Sequence, residues 1–538
     1  MATLQFKGKN IIWNHHMSVP YHTLDLDKKL SYKQDKADGN LIIEGDNLPT
    51  LKSLLPQYTG KIDCIYIDPP YNTGGEDWIY NDNINSPLIR DWIGKIVAKD
   101  DLTRHDKWLA MMTPRLKVLK ELLSEKGVIY ISIGEDEIGN LKLLMEEIFG
   151  QDNFISIVSR VAKTASNKGT YFAPSVDYIL VFARDITYVK PFRDEVDENL
   201  YTKEDEYGKF RDDVALYQSG LIGSRPNCRY YIDCPDGSKV IPPIDKFWRW
   251  EKTTTERNKN LLVFKETKTS PLLDGNGQQA KYNIYTKSYL NEREKDGTLP
   301  RNYLDKFINR KGADFLKSID VEFDYAKPTD LIAYLIRILN SEKNITILDA
   351  FAGSGTTAQA VLELNEEDEG NRKFILIQMP ENSEKEPSKN IARDITRERV
   401  VKVIEKKLNN KEIGFEYRRV GQPIDAETIL SGQLPTYKQL AKYVYYLATG
   451  QSPKDKDIDE KKFLAGKVDH TEVYLLYTPD MEELKKMAIT FEWAKEISKG
   501  NDNKKIVYAP ACFMDDEYLE QFNIKFVSIP YNLFEREK

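Results

Sequence analysis

Cysteine is scarce in this chain: Cys64, Cys228, Cys234 and Cys512 are the only four in 538 residues. They are too few and too scattered for a disulfide framework. Cys228 and Cys234 have five residues between them, which is not the spacing of a zinc knuckle, so no metal site is expected. Runs of about 18 apolar residues, the length needed to cross a membrane, are also missing. The opening MATLQFKGKNIIWNHH lacks the apolar core of a signal peptide, and a cytoplasmic protein without membrane contact is expected. Nor does one sign of charge dominate. A net charge of -7 argues against a protein that coats nucleic acid non-specifically, yet a local basic face could still contact phosphates at a specific site. No internal repeat is visible, and the acidic run at 366–369 reads as a solvated loop.

What is present is an ordinary globular composition, 41% hydrophobic and 30% charged, on a chain too long for one domain. Residues 1–40 are polar and read as an N-terminal arm. From Leu41 the pattern is regular: LIIEGD is a short strand, Leu48, Leu51 and Leu55 fall at helical spacing, and IDCIYID (62–68) is a buried strand ending at Pro69-Pro70. An amphipathic helix follows over 106–126, with Gly127 placed to end it. VIYISI, a helix ending at Gly150, and the strand YILVFA complete the block. Residues 186–320 mix charges, turns and aromatics and read as a separate module. Regularity returns with a helix in KPTDLIAYLIRILN, the strand ITILDAF, a helix in TTAQAVLELN, the strand FILIQM and a charged helix over 391–407. Strands alternating with helices imply a mostly parallel α/β sheet, here assembled from two separated segments, 41–185 and 321–415. A further small α/β domain is expected over 416–538.

Asp68-Pro69-Pro70-Tyr71 stands at the carboxyl end of a buried strand, where α/β sheets place ligand sites. The amine of an aromatic base is a poor nucleophile because its lone pair is delocalised into the ring. A carboxylate accepting one N–H and a carbonyl accepting the other would free that lone pair. Asp68 and the Pro69 carbonyl can supply the two acceptors, and two prolines hold them rigidly. Tyr71 offers a ring face for an extruded base. Read without this chemistry, the same four residues are a turn closing a strand.

Asp349-Ala350-Phe351-Ala352-Gly353-Ser354-Gly355-Thr356-Thr357 joins a strand to a helix. Its glycines let a ligand approach the backbone, and the helix start adds free amides and a positive dipole end. The spacing to Ala358 also fits a relaxed dinucleotide fingerprint, or a plain tight turn.

The tetrapeptide preceding Phe351-Ala352-Gly353-Ser354-Gly355 resembles the β-class DNA amino-methyltransferases. The resemblance implies a Rossmann-like class I methyltransferase sheet, S-adenosyl-L-methionine as cofactor and double-stranded DNA as substrate. Asp rather than Ser at the first tetrapeptide position implies adenine N6 as the target. Gly45-Asp46-Asn47-Leu48 is similar to the family turn whose aspartate faces the cofactor adenine, and Lys327-Pro328 to the element preceding the glycine motif. Tyr71-Asn72-Thr73-Gly74, the aromatic central module and the tail make the chain similar to the modification (Mod) subunits of type III restriction–modification systems. That implies a homodimer with a helicase–nuclease restriction partner, and a target-recognition domain over 186–320. Expected cofactor contacts are Asp46, Asp68, Lys327, Asp349, Phe351, Ala352, Gly353, Ser354, Gly355 and Thr356. Many relatives carry an acidic residue for the ribose hydroxyls where this chain has Gln378, with Glu381 close by. Expected DNA contacts are Asn72, Arg160, Lys163, Lys168, Arg225, Arg229 and Arg249, with Tyr230, Tyr231, Lys246, Trp248 and Trp250 nearby. Phe247, Trp248 and Trp250 read equally as the core of a small domain.

Other readings stand beside this one: a stand-alone or type II amino-methyltransferase, a nicotinamide-dependent oxidoreductase, and a catalytically idle DNA-binding subunit. The oxidoreductase leaves the tetrapeptide unexplained and expects an acid where Gln378 sits. A protein-glutamine methyltransferase would usually show Asn at the first tetrapeptide position, with the glycine motif ahead of it.

Overall fold

A computed structural model describes residues 3–73, 103–164, 171–221, 223, 225–323, 326–339, 343–380, 390–408 and 412–529. The main sheet has ten strands: β1 (His22–Leu26), β2 (Leu41–Glu44), β3 (Ile62–Ile67), β4 (Leu123–Ile133), β5 (Phe154–Val161), β6 (Val176–Ala183), β7 (Tyr303–Leu304), β8 (Thr346–Asp349), β9 (Lys373–Gln378) and β10 (Glu416–Pro423). Their spatial order is β1-β10-β2-β9-β8-β3-β4-β6-β5-β7. From β10 to β4 every neighbour pair is parallel. Strand β6 runs antiparallel between β4 and β5. Ile42, Ile65, Ile67, Leu348 and Ile375 are fully buried, as strands covered on both faces require. Strands β8 and β9, from the second segment, insert between β2 and β3 of the first. The carboxyl ends of β2, β3, β8 and β9 therefore lie along one edge, and both motifs leave the sheet there.

The main helices are α1 (Asn47–Tyr58), α2 (Arg104–Leu122), α3 (Ile138–Phe149), α4 (Thr329–Arg337), α5 (Thr356–Asp368) and α6 (Tyr437–Thr449). Gly150 ends α3 with φ 95°, as expected. Gly127 does not cap a helix but lies inside β4, where a side-chain carbon would meet the Ile62 carbonyl at 2.9 Å. Helix and strand abut without a linker, so this glycine serves close backbone approach.

Two expected boundaries move. The polar start is not an arm, because β1 pairs antiparallel with β10 along the sheet edge. Strand β10, in turn, places residues beyond 416 in the main sheet. The tail carries its own four-stranded sheet, Leu464–Val468, Thr471–Leu475, Lys504–Ala509 and Ile524–Ser528. Yet Tyr443, Tyr446, Leu475, Tyr477 and Tyr508 share one buried cluster with Leu51, Leu54 and Tyr21, and the rings of Tyr21 and Tyr443 lie 4.4 Å apart. The tail is thus continuous with the first compact unit, Met1–Pro191 plus Arg301–Lys538.

The second unit is Phe192–Pro300, narrower than the expected 186–320. It holds a four-stranded antiparallel sheet (Lys203–Asp205, Gly208–Ala215, Leu262–Glu266, Tyr282–Tyr289) and two short two-stranded antiparallel sheets. Its core includes Leu216, Ile232, Cys234, Trp248 and Ile284. Among the described residues no helix is long and apolar enough to cross a membrane.

Candidate active site

Asp68 follows the last residue of β3, and the Asp68–Tyr71 loop is held from three sides. The Trp108 indole N–H, on α2, donates to the Pro70 carbonyl at 2.7 Å. Among the described residues no donor reaches the Pro69 carbonyl. The Tyr71 hydroxyl donates to Asp177 Oδ2 at 3.3 Å. Asn72 takes a left-handed φ of 58°, and its amide donates to Glu137 at 2.5 Å. Glu137 is itself fully buried, and burial raises its carboxyl above the usual range.

The Lys327 ammonium pairs with Asp68 Oδ2. Asp68 Oδ1 is buried and has no hydrogen-bond partner among the described residues, which is costly for a carboxylate oxygen unless a donor arrives. Lys327 also stands 5.1 Å from the Tyr71 ring centre. Its carbonyl accepts from the Thr356 hydroxyl at 3.4 Å, so one lysine ties the tetrapeptide to the glycine turn.

In that turn Gly353 (φ 50°) and Gly355 (φ 81°) take left-handed conformations, which glycine adopts without strain. At Gly355 a side-chain carbon would meet the Thr396 carbonyl at 3.2 Å. Asp349 accepts from the Phe351 amide at 3.0 Å and the Thr357 hydroxyl at 2.5 Å. Complete burial nevertheless pushes its carboxyl from an ordinary 3.8 up to about 7, with neighbouring Asp68 adding to the rise.

Several residues expected at the site are engaged by the protein itself. Gln378 is not open toward ribose hydroxyls: its side-chain carbonyl accepts from the Gly353 amide at 2.7 Å. Asp46 caps α1 through the Leu48 amide at 2.9 Å and pairs with Arg115 at 3.2 Å. Ser354 and Thr356 are buried, and both hydroxyls are bound by Arg399, at 2.6 and 2.7 Å. Asn72 (2% exposed) and Arg160 (0%) are interior residues, so neither is placed to meet DNA. Arg160 donates to both oxygens of Asp177. Lys163 is exposed, as are Tyr171 and Phe172 on the same β5–β6 connection. In the second unit Arg225, Arg229 and Arg249 are exposed while Trp248 is core, and Arg225 lies 5.4 Å over the Phe247 ring. Lys168 and Glu381 fall outside the described residues.

Sequence reasoning missed Trp108, Glu137, Asp177 and Arg399. Trp108 was legible only as part of an apolar helix stripe, and the other three only as scattered charges. Their partners lie tens to hundreds of residues away in the chain.

Comparison with known proteins agrees with this geometry. The model of the DNA methylase (N6/N4) family matches residues 62–389. The StyLTI Mod subunit of a Salmonella typhimurium type III restriction–modification enzyme is 31% identical over 449 residues, 76% of this chain and 66% of that protein. The EcoPI Mod subunit of Escherichia phage P1 is 32% identical over 461 residues, 74% of this chain and 68% of that one. The type II methyltransferase M.KpnI of Klebsiella pneumoniae is 33% identical over 362 residues, 62% and 79%. The chain thus spans about two thirds of the length of the type III relatives. With Asp68–Tyr71 and the glycine turn both inside the matched span, the chain belongs to the N6/N4 DNA methylase family and is an S-adenosylmethionine-dependent DNA methyltransferase.

Proposed function

We propose that the protein methylates adenine N6 at a specific duplex site, as the modification subunit of a type III restriction–modification system. The observation that carries this reading is the buried, unpartnered Oδ1 of Asp68. An adenine amine can supply a donor to this oxygen. In this reading Asp68 Oδ1 accepts one N6–H and the Pro69 carbonyl accepts the other, drawing the nitrogen toward a tetrahedral shape. The Lys327 ammonium holds the carboxylate in place through Oδ2. Tyr71 provides the stacking face for the extruded base.

The residues fit S-adenosylmethionine. Gly353 and Gly355, both with left-handed φ, make a tight turn without side chains, and the start of α5 directs its amides to the same end of the sheet. The Gly353 turn, Phe351, Asp349, Asp46 and Lys327 would hold it. When bound, it supplies a methyl group on a cationic sulfur. Asp68 Oδ1 would take up the surplus N6 proton.

In the first unit, exposed Lys163, Tyr171 and Phe172 on the catalytic edge are suited to contact DNA; in the second unit, taken by itself, exposed Arg225, Arg229 and Arg249 are. A restriction subunit as partner, a homodimer and a cytoplasmic location follow from the type III reading. The similarity to M.KpnI supports a second reading, a type II enzyme acting alone. The oxidoreductase reading is disfavoured, because Gln378 is engaged with the Gly353 amide.

The test is Asp68→Ala. Turnover on duplex DNA should fall by at least a thousandfold, an order of magnitude typical of losing a transition-state contact, while S-adenosylmethionine affinity stays within a few-fold. Near-normal turnover would remove Asp68 from the mechanism.

A further inference from the structure

Tyr71 needs only its ring to stack on a base, yet its hydroxyl is bound in the interior. Asp177 Oδ2 accepts it at 3.3 Å, and Asp177 is held in turn by Arg160. These two residues face each other across β5 and β6, where Arg160 pairs in register with Asp177. The Arg160 guanidinium donates to Oδ1 at 2.7 Å and also to Oδ2. Its Nη1 hydrogens go to the Phe307 carbonyl at 2.8 Å and the Asn309 side chain at 2.9 Å. Arg160 is 0% exposed and Asp177 5%.

A buried ion pair is a poor way to gain stability, since its desolvation cost is comparable to its attraction. Such a pair does fix a geometry. Here the fixed point is a carboxylate oxygen at the tip of the Tyr71 side chain. The other end of that side chain leaves a backbone restrained by Pro69 and Pro70, and the ring passes Gly134, where a side-chain carbon would sit 3.0 Å from Tyr71 Cδ2. The ring is therefore tethered at both ends and walled on one side.

We propose that Asp177, backed by Arg160, is a positioning residue that sets the plane of the Tyr71 ring through its hydroxyl, so that a swung-out adenine presents N6 to Asp68. Tyr71 is then more than an interchangeable aromatic, because phenylalanine would lose the outer tether. The inference rests on the reading of Tyr71 as the stacking face for the target base.

The experiment uses the full chain with two duplexes bearing its own methylation site, mapped beforehand by sequencing modified bases: one with the target adenine in place for rates, and one with 2-aminopurine, which lacks the 6-amine, in its position for fluorescence. Tyr71→Phe, Asp177→Asn, the double variant and Tyr71→Ala are compared by single-turnover rate, cofactor affinity and 2-aminopurine emission. Tyr71→Phe leaves the Arg160–Asp177 pair intact, so it carries the test even where Asp177→Asn fails to fold. Loss of one hydrogen bond to a charged acceptor predicts a rate about tenfold lower for Tyr71→Phe, with cofactor affinity unchanged within twofold and altered emission. The double variant should be no slower than the slower single one. A wild-type rate for Tyr71→Phe beside a slow Tyr71→Ala overturns the positioning role and leaves stacking standing. Multiplying rate losses in the double variant also overturn it. Normal rate and emission in Tyr71→Ala overturn the stacking reading and this inference together.

Discussion

A carboxylate can work on an amine only if it is anionic, immobile and short of one donor, and at Asp68 the last two conditions are visible. Lys327 occupies one oxygen and burial isolates the other. Asp349, at the end of the adjacent strand, is the opposite case: its oxygens are satisfied but its charge is disfavoured. Its folded-state value is raised from 3.8 to about 7, so the folded protein keeps a proton that the unfolded chain releases. Its contribution to stability is therefore lost as pH rises from about 4 through 7, and is flat beyond that. Asparagine could still accept from the Phe351 amide and donate to the Thr357 hydroxyl. Asp349→Asn should thus gain thermal stability relative to wild type across pH 4 to 7, measured as the difference in Tm; parallel profiles would count against the assignment. At this scale the sequence revealed what is local: Asp68 to Tyr71 and Asp349 to Thr356 are contiguous runs whose place at the carboxyl ends of β3 and β8 was legible. Arg160, Asn72 and Gln378 were misassigned because their partners Asp177, Glu137 and Gly353 come from other strands and loops.

Among the elements, the edge formed by β1 and β10 is the least legible and the most demanding. Both strands are polar, carry little alternation and lie at the edge, where burial on one face alone shapes the pattern. Just before β10 the backbones close tightly. Gly414 donates to the Lys36 carbonyl at 3.0 Å and Phe415 to the Tyr32 carbonyl at 2.9 Å. A side-chain carbon on Gly414 would lie 2.5 Å from the Tyr32 carbonyl and still closer to that of Lys33, and neither backbone atom can rotate away. Gly414→Ala should cost about 1–3 kcal/mol, as overpacking does, and lower Tm without changing cofactor affinity. An unchanged Tm would mean that this seam is loose. By contrast the central strands announce themselves, because IDCIYID and FILIQM are buried on both faces and cannot be anything but apolar.

For the molecule as a whole, the sequence indicates an α/β core split by an inserted module, and the structure supplies its rules of assembly: β8 and β9 lie between β2 and β3. The continuity of the tail with the first unit's core was hidden, because α6 buries tyrosines such as Tyr443 and Tyr446 that a sequence shows only as amphipathic residues. The inserted unit keeps Trp248 inside and Arg225, Arg229 and Arg249 outside, and under the proposed function these arginines have the task of DNA readout. Replacing Arg225, Arg229 and Arg249 by alanine, one at a time, should weaken specific DNA binding by about tenfold for each base-contacting residue, with S-adenosylmethionine affinity intact. Equal affinity for all three variants would move recognition elsewhere. The most direct test of the central claim is nucleoside analysis by mass spectrometry of duplex DNA incubated with the protein and S-adenosylmethionine. The account predicts N6-methyladenine, absent with Asp68→Ala; N4-methylcytosine instead, or no methylated base from the folded, cofactor-binding protein, would contradict it.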